Sequence, residues 1–115
     1  MLMSSLELTV AVEHNLPVTY VVLNDSSYGM VRHGQRLAGA EPIAYQLPHV
    51  RFDQLARACG AVGLRVESLE DLGCVPREFI AADDAGTCLI DVRVDADAAP
   101  PIADRVSGHT GAATR

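Results

Sequence analysis

The sequence predicts an α/β fold in three layers, a parallel sheet with helices on both faces. Three strand-like runs, Val18 to Leu23, Val62 to Val66 and Thr87 to Val94, carry that prediction, and the first is β-branched and aromatic with no alternation, the pattern of a strand covered on both faces in a parallel sheet. Segments with helical spacing of apolar residues precede and separate them. The order helix, strand, helix, helix, strand, helix, strand requires crossover connections, which are right-handed in parallel sheets.

The first helix lies between Ser4 and Asn15, where Leu6, Leu8, Val10, Ala11 and Val12 cover a broad face. Asn15-Leu16-Pro17 stops it near His14, since the residue before a proline avoids the α region. The strand Val18 to Leu23 ends abruptly at the polar loop Asn24-Asp25-Ser26-Ser27, and a short helix follows from Tyr28 to about Gln35. Leu37 to Val50, which contains Pro42 and Pro48, reads as a long ordered connection of the kind that often carries function. Phe52, Leu55, Ala56 and Cys59 then form one helical stripe closed by Gly60 as a C-cap glycine. After the strand Val62 to Val66, Ser68 caps a helix with Glu70 and Asp71 in its first turn. Gly73 and Pro76 predict a kink or a restart before Arg77 to Ala82, because an internal proline removes a donor and clashes with the preceding turn. From Asp95 to Arg115 the composition is too polar and too rich in Ala, Pro and Gly to bury much surface, so residues 95–115 are expected to form a flexible tail on a 1–94 domain.

The 115 residues suffice for one domain with a modest core. No apolar run approaches the roughly 20 residues of a membrane span, and Glu7, Glu13 and His14 break up the start, so neither a span nor a signal peptide is expected. Nine Lys plus Arg against fifteen Asp plus Glu give a net charge of -6. With no basic stripe, nucleic acid is not an expected partner. Cys59, Cys74 and Cys88 are odd in number, widely spaced and in apolar settings, which implies reduced core thiols and a cytoplasmic protein.

Ligands of open α/β sheets bind beyond the carboxyl ends of strands, which places Asn24 to Met30 at the expected site. Asp25 is a hard oxygen ligand suited to Mg2+, neighbouring carbonyls can add to the coordination, and the following helix start favours an anion. Asn, Asp and Ser also close strands for turn-forming reasons alone, so Asn-Asp-Ser-Ser is by itself a weak motif.

The whole segment is more specific. Leu2-Met3-Ser4, Glu7-Leu8, Ala11-Val12, Asn15-Leu16-Pro17-Val18, Val22-Leu23-Asn24-Asp25 and Tyr28-Gly29-Met30-Val31 together resemble the acetolactate synthase family of thiamine-diphosphate-dependent enzymes. The likeness continues through Phe52-Asp53-Gln54-Leu55-Ala56-Arg57-Ala58-Cys59-Gly60 and the last strand. It implies that the chain is the C-terminal part of a diphosphate-binding domain, hence an incomplete sheet. It also implies the cofactors thiamine diphosphate and Mg2+, a 2-oxo acid substrate such as pyruvate, decarboxylation with two-carbon transfer, and a homo-oligomeric parent. Asp25, matching the second Asn of the family's Asn-Asn pair, would ligate Mg2+ with its side chain and Ser27 with its carbonyl. Asn24, Ser27, Tyr28, Gly29, Met30 and Val31 would border the cofactor.

Three departures accompany the resemblance. The aspartate of the family's Gly-Asp-Gly motif would fall just ahead of Met1, and the domain bearing the cofactor-activating glutamate is not in this sequence. Alone, the chain is therefore expected to be inactive, and no residue in it is assigned a catalytic role. Asp25 replaces the commoner Asn, which an ionised carboxylate tolerates. Gly34 stands where acetohydroxyacid synthases carry a tryptophan that shapes the acceptor pocket.

Other candidates have ordinary readings. His33 is a possible general base but reads as a solvent-facing helix residue, while His14 and His49 suit a helix end and a loop. Met30 could meet a thiazolium ring or fill a core gap. Arg32 and Arg36 read as a solvated charged face. The alternative to an enzyme fragment is a non-catalytic α/β module that binds a phosphate ligand or a protein partner through Asn24 to Val31. Such a module would have to protect the edge of its first strand, which bears neither charge nor proline.

Overall fold

The computed structural model describes residues 5–81 and 85–97. Its elements follow the expected order: α1 (Glu7–Glu13), β1 (Thr19–Asn24), α2 (Gly29–Leu37), α3 (Phe52–Ala58), β2 (Val62–Val66), α4 (Leu69–Gly73), α5 (Arg77–Ala81) and β3 (Cys88–Arg93). The strands form one parallel sheet in the order β1-β3-β2, with Thr19 and Val62 both in register with Cys88. The last strand is thus central, and Cys88, Leu89, Ile90 and Asp91 are all buried.

Alternation along β3 divides the core between the two faces of the sheet. Leu89 packs with Leu8, Phe52 and Ala56 from α1 and α3, joined by Tyr20 and Val22. Cys88 and Ile90 pack with Val66, Val75 and Phe79 beneath α4 and α5. Helices on both faces make this the expected three-layer α/β arrangement.

Local chemistry sets the element ends. Gly60 follows the Cys59 C-cap at φ 87°, the left-handed backbone that a C-cap glycine supplies. Ser68 accepts from the Asp71 N–H while the Asp71 carboxylate takes the Ser68 N–H, a complete capping box on α4. Proline at position 76 restarts the chain as α5. Gly63 allows a close approach of strand and helix: a Cβ there would stand 2.0 Å from the Asp53 carbonyl oxygen.

The two sheet edges differ. Pairing in a parallel sheet turns alternate residues toward each neighbour, so the Val62 N–H meets the Thr87 carbonyl while Gly63 faces outward. Arg57 occupies that outer edge, donating Nη2 and Nε to the Gly63 carbonyl at 2.8 and 3.2 Å. On β1 the Val18 and Asn24 carbonyls accept from Cys88 and Val94, which turns the backbone of Thr19, Val21 and Leu23 outward. Among the described residues no strand pairs with that edge.

Two sequence expectations need correction. β1 is not covered on both faces: Val21 and Leu23 are 60% and 69% exposed, while at the start of the strand Thr19 Oγ1 donates to the Phe79 carbonyl of α5. The cysteines are not all core thiols. Cys88 is buried, and burial raises its thiol pKa to about 11, whereas Cys59 is half-buried and Cys74 is exposed at the C-cap of the short α4. All three are unpaired. Of the expected 95–115 tail, residues 98–115 lie outside the described residues; Asp95 to Asp97 form a turn.

Candidate functional site

The C-terminal end of β1 runs into a turn that its own side chains build. Asn24, at the last position of the strand, is buried. Its amide nitrogen donates to Asp91 Oδ1 at 2.9 Å and to the Val50 carbonyl at 3.1 Å, while its Oδ1 accepts from the Ser26 N–H at 3.1 Å. Ser26 then takes a left-handed backbone at φ 54°. One residue further, the Asp25 carboxylate accepts the Ser27 N–H at 3.0 Å and the Ser27 hydroxyl at 2.6 Å. Such Asx turns explain the Asn-Asp-Ser-Ser content in physical terms.

The connection between α2 and α3 closes over this turn. Tyr28 N–H donates to the Tyr45 carbonyl at 2.7 Å, Leu47 N–H to the Ser26 carbonyl at 3.0 Å, and Ser27 forms an isolated antiparallel bridge with Gln46. A cleft of about 270 Å³ results, walled by Asn24, Asp25 and Tyr28 on the polar side and by Val22, Val50 and Phe52 on the apolar side.

α2 begins at Gly29 with no side-chain cap, and its first N–H groups have no partner within the helix. The Asp25 carboxylate lies beside this start: a Cβ on Gly29 would stand 3.1 Å from Asp25 Oδ2. Partial burial pushes the Asp25 pKa upward, but the hydrogen bonds from Ser27 and the nearby Arg32 charge outweigh it and hold the carboxyl below its usual 3.8. It is therefore ionised at neutral pH. Ser26 is held in turn, its hydroxyl accepting from Arg93 Nη1 at 2.9 Å and lying 3.3 Å from His49 Nδ1.

The predicted site residues are only partly gathered. Asn24, Asp25, Ser27 and Tyr28 line the cleft, whereas Met30 and Val31 are exposed on the first turn of α2 and do not. Exposure of Met30 removes its reading as a core gap-filler. Asn24 makes hydrogen bonds through both its amide nitrogen and its oxygen within the protein. Arg32 is not part of a solvated face: it is 4% exposed, bonded through Nη1 to Asp97 at 3.2 Å and set over the Tyr45 ring at 5.7 Å. Its Nε and Nη2 have no hydrogen-bond partner among the described residues. Arg36 remains exposed.

Asp91 is absent from the sequence-predicted set and fully buried at the site. Its Oδ1 takes the Asn24 amide, and its Oδ2 takes the Phe52 N–H at 3.2 Å. The signal for it was a carboxylate inside the apolar run Cys88-Leu89-Ile90-Asp91-Val92, since a buried strand bears a charge only where hydrogen bonds receive it. Among the described residues no group of three or more His, Cys, Asp or Glu side chains gathers as a metal cluster.

A parallel sheet whose edge strand runs into a turn bearing an ionised carboxylate, with an uncapped helix start four residues after it, is an open α/β arrangement, a class whose ligands bind beyond the strand ends. The family is more particular. The profile described as "Thiamine pyrophosphate enzyme, C-terminal TPP binding domain" matches residues 1–92, and the chain belongs to that family, on its acetolactate synthase-like side. The acetolactate synthase of Bacillus subtilis (strain 168) is 37% identical over 94 residues, which are 82% of this chain and 16% of that protein. The sulfoacetaldehyde acetyltransferase of Alcaligenes xylosoxydans xylosoxydans is 31% identical over 93 residues, 78% of this chain and 15% of that protein. The crystal structure of benzoylformate decarboxylase from Polynucleobacter necessarius superposes with a TM-score of 0.72 at 25% identity, covering 84% of this chain and 18% of that one. The chain thus spans roughly a sixth of the length of these relatives.

Proposed function

We propose that this chain supplies the C-terminal part of the diphosphate site in a thiamine-diphosphate-dependent enzyme that acts on a 2-oxo acid such as pyruvate, with decarboxylation and two-carbon transfer. Asp25 gives Mg2+ a carboxylate oxygen and Ser27 its backbone carbonyl. The segment Tyr28 to Val31 presents the start of α2 to the diphosphate, and the apolar wall of the cleft meets the less polar part of the cofactor.

The observation that carries this reading is the Asp25 carboxylate beside the uncapped start of α2, against a residue with no Cβ. Hard oxygen ligands suit Mg2+, and a helix start suits phosphate, so neighbouring groups fit the two halves of a metal diphosphate. Mg2+ is commonly held by one or two carboxylates together with phosphate oxygens, a role the Asp25 carboxylate can fill. When bound, thiamine diphosphate supplies the electron sink for breaking the bond to the carboxylate; the protein supplies placement and charge. Here Asp25 neutralises metal charge, Ser27 fixes the carboxylate rotamer, and Asn24 shapes the turn.

The family description supports the cofactor. Relatives named acetolactate synthase and benzoylformate decarboxylase support the substrate class, since benzoylformate is itself a 2-oxo acid. Three unpaired cysteines suit a reducing compartment such as the cytoplasm. A homo-oligomeric parent, in which another domain brings the activating glutamate, belongs to the same proposal, as does a 1–94 domain followed by a flexible tail.

Isothermal titration of the chain with thiamine diphosphate tests it. Saturable heat that requires Mg2+ and disappears in Asp25→Ala is the expected result. Heat independent of both Mg2+ and Asp25 would overturn the assignment.

A further inference from the structure

The loop that carries Asp25 and Ser27 is not held by its own residues alone. Asp91 lies on the central strand with no exposed surface, and among the described residues no cationic side chain pairs with it. Its two oxygens accept from two different elements: Asn24 at the end of β1, at 2.9 Å, and the Phe52 N–H at the start of α3, at 3.2 Å. The Asn24 amide passes the constraint on, reaching the Val50 carbonyl at 3.1 Å and, through Oδ1, the Ser26 N–H at 3.1 Å. Ser26 in turn holds Leu47 through its carbonyl at 3.0 Å. The strand end, the connection and α3 therefore meet at one buried carboxylate.

The hydrogen-bond pattern is directional. A carboxylate is acceptor-only, so it can receive both donors, and this fixes the Asn24 amide with its nitrogen toward Asp91 and its oxygen toward Ser26. An asparagine at position 91 would offer one acceptor and one donor. Either the Phe52 N–H would lose its acceptor, or the Asn24 amide would turn over and set its nitrogen against the Ser26 N–H. The second choice releases the left-handed Ser26 turn that aims the Asp25 carboxylate and the Ser27 carbonyl.

We propose that Asp91 is the positioning residue of this site: by holding the Asn24 amide in one orientation it sets the turn that presents Asp25 and Ser27 to the metal diphosphate. The proposal rests on the reading of Asn24 to Val31 as that site. Asp91 itself touches neither metal nor cofactor.

Titration of the full chain with thiamine diphosphate at a series of Mg2+ concentrations tests it. Asp91→Asn is expected to weaken binding by about tenfold, the scale of one buried hydrogen bond to a charged acceptor, and to raise the Mg2+ concentration at half-saturation. A role in packing alone would lower the unfolding midpoint while leaving the affinity of the folded fraction and its Mg2+ dependence unchanged. The reciprocal variant Asp91→Asn with Asn24→Asp restores a donor facing an acceptor between these two positions but leaves the Val50 carbonyl without its donor, and is expected to regain only part of the affinity.

A measurement on the wild-type chain holds even where a variant does not fold. The Asn24 side-chain amide protons are expected to exchange slowly with solvent, and rapid exchange, as for an exposed asparagine, would overturn the proposal. A wild-type chain that binds and a folded Asp91→Asn that binds equally well would overturn it while leaving the site reading intact. A wild-type chain with a protected Asn24 amide but no Mg2+-dependent binding would overturn the site reading, and the proposal with it.

Discussion

Replacing Gly63 by alanine tests the packing that holds α3 against the sheet. The added Cβ would stand 2.0 Å from the Asp53 carbonyl oxygen, 2.8 Å from its carbon and 3.1 Å from its Cα. All three are backbone atoms, so no side-chain rotation relieves the clash. Ordinary contact for such a carbon is roughly 3.5 Å, so helix and strand must separate by more than an ångström. That movement also disturbs the Arg57 hydrogen bonds to the Gly63 carbonyl. Overpacking of this kind costs about 1–3 kcal/mol, and a rigid backbone neighbour places Gly63→Ala at or above about 3 kcal/mol. Alanine's better backbone entropy returns only about 0.5–1 kcal/mol. The control is Gly34→Ala in α2, where nothing lies within 4 Å of the new atom and a gain of about 0.5–1 kcal/mol is expected. Urea unfolding followed by circular dichroism separates the two. Equal stability of Gly63→Ala and wild type would refute the close approach of α3 and β2.

Three further outcomes follow from the structure. Asp53 is buried, and the hydrogen bonds from Arg51 Nε and Nη2, at 2.9 Å each, outweigh its burial and hold its carboxyl below 3.8. Its folded pKa lies below its unfolded one, so its contribution is present above about pH 4 and lost as pH falls through the folded value; Asp53→Asn should flatten the acid limb of a stability-against-pH curve. Ser68→Ala removes the acceptor for the Asp71 N–H and should cost about 1 kcal/mol in the same urea assay. Val21→Lys places a charge on the unpaired edge strand and should reduce self-association in sedimentation velocity, with stability changed by less than about 0.5 kcal/mol; unchanged association would show that this edge is not the sticky one.

Most elements were legible because each carried its own signal. The Phe52, Leu55, Ala56 and Cys59 stripe with Gly60 behind it, and the Ser68 cap with Asp71 in the first turn, each combine a period with a terminus, and both elements lie where expected. The sheet order was not legible, since the central position of β3 arises from pairing between distant segments. Coverage of β1 misled for a related reason: an apolar run shows that a strand is fit for burial, not that neighbours bury it, and Val21 and Leu23 stay exposed. Arg32 misled because spacing gives the helix face but not what packs there, in this case Tyr45 and Asp97. At the site, Asp25 and Ser27 could be named from the motif, whereas the role of Asp91 depends on contacts to Asn24 and Phe52 across 67 and 39 residues of sequence.

The central claim, that the turn from Asn24 into α2 receives a metal diphosphate, is tested most directly by amide chemical shifts of the isotopically labelled chain on addition of thiamine diphosphate, with and without Mg2+. The account expects Mg2+-dependent changes centred on Asp25 to Val31, with smaller ones at Tyr45 to Leu47 across the bridge. Changes centred elsewhere, or none at saturating cofactor and Mg2+, would contradict it.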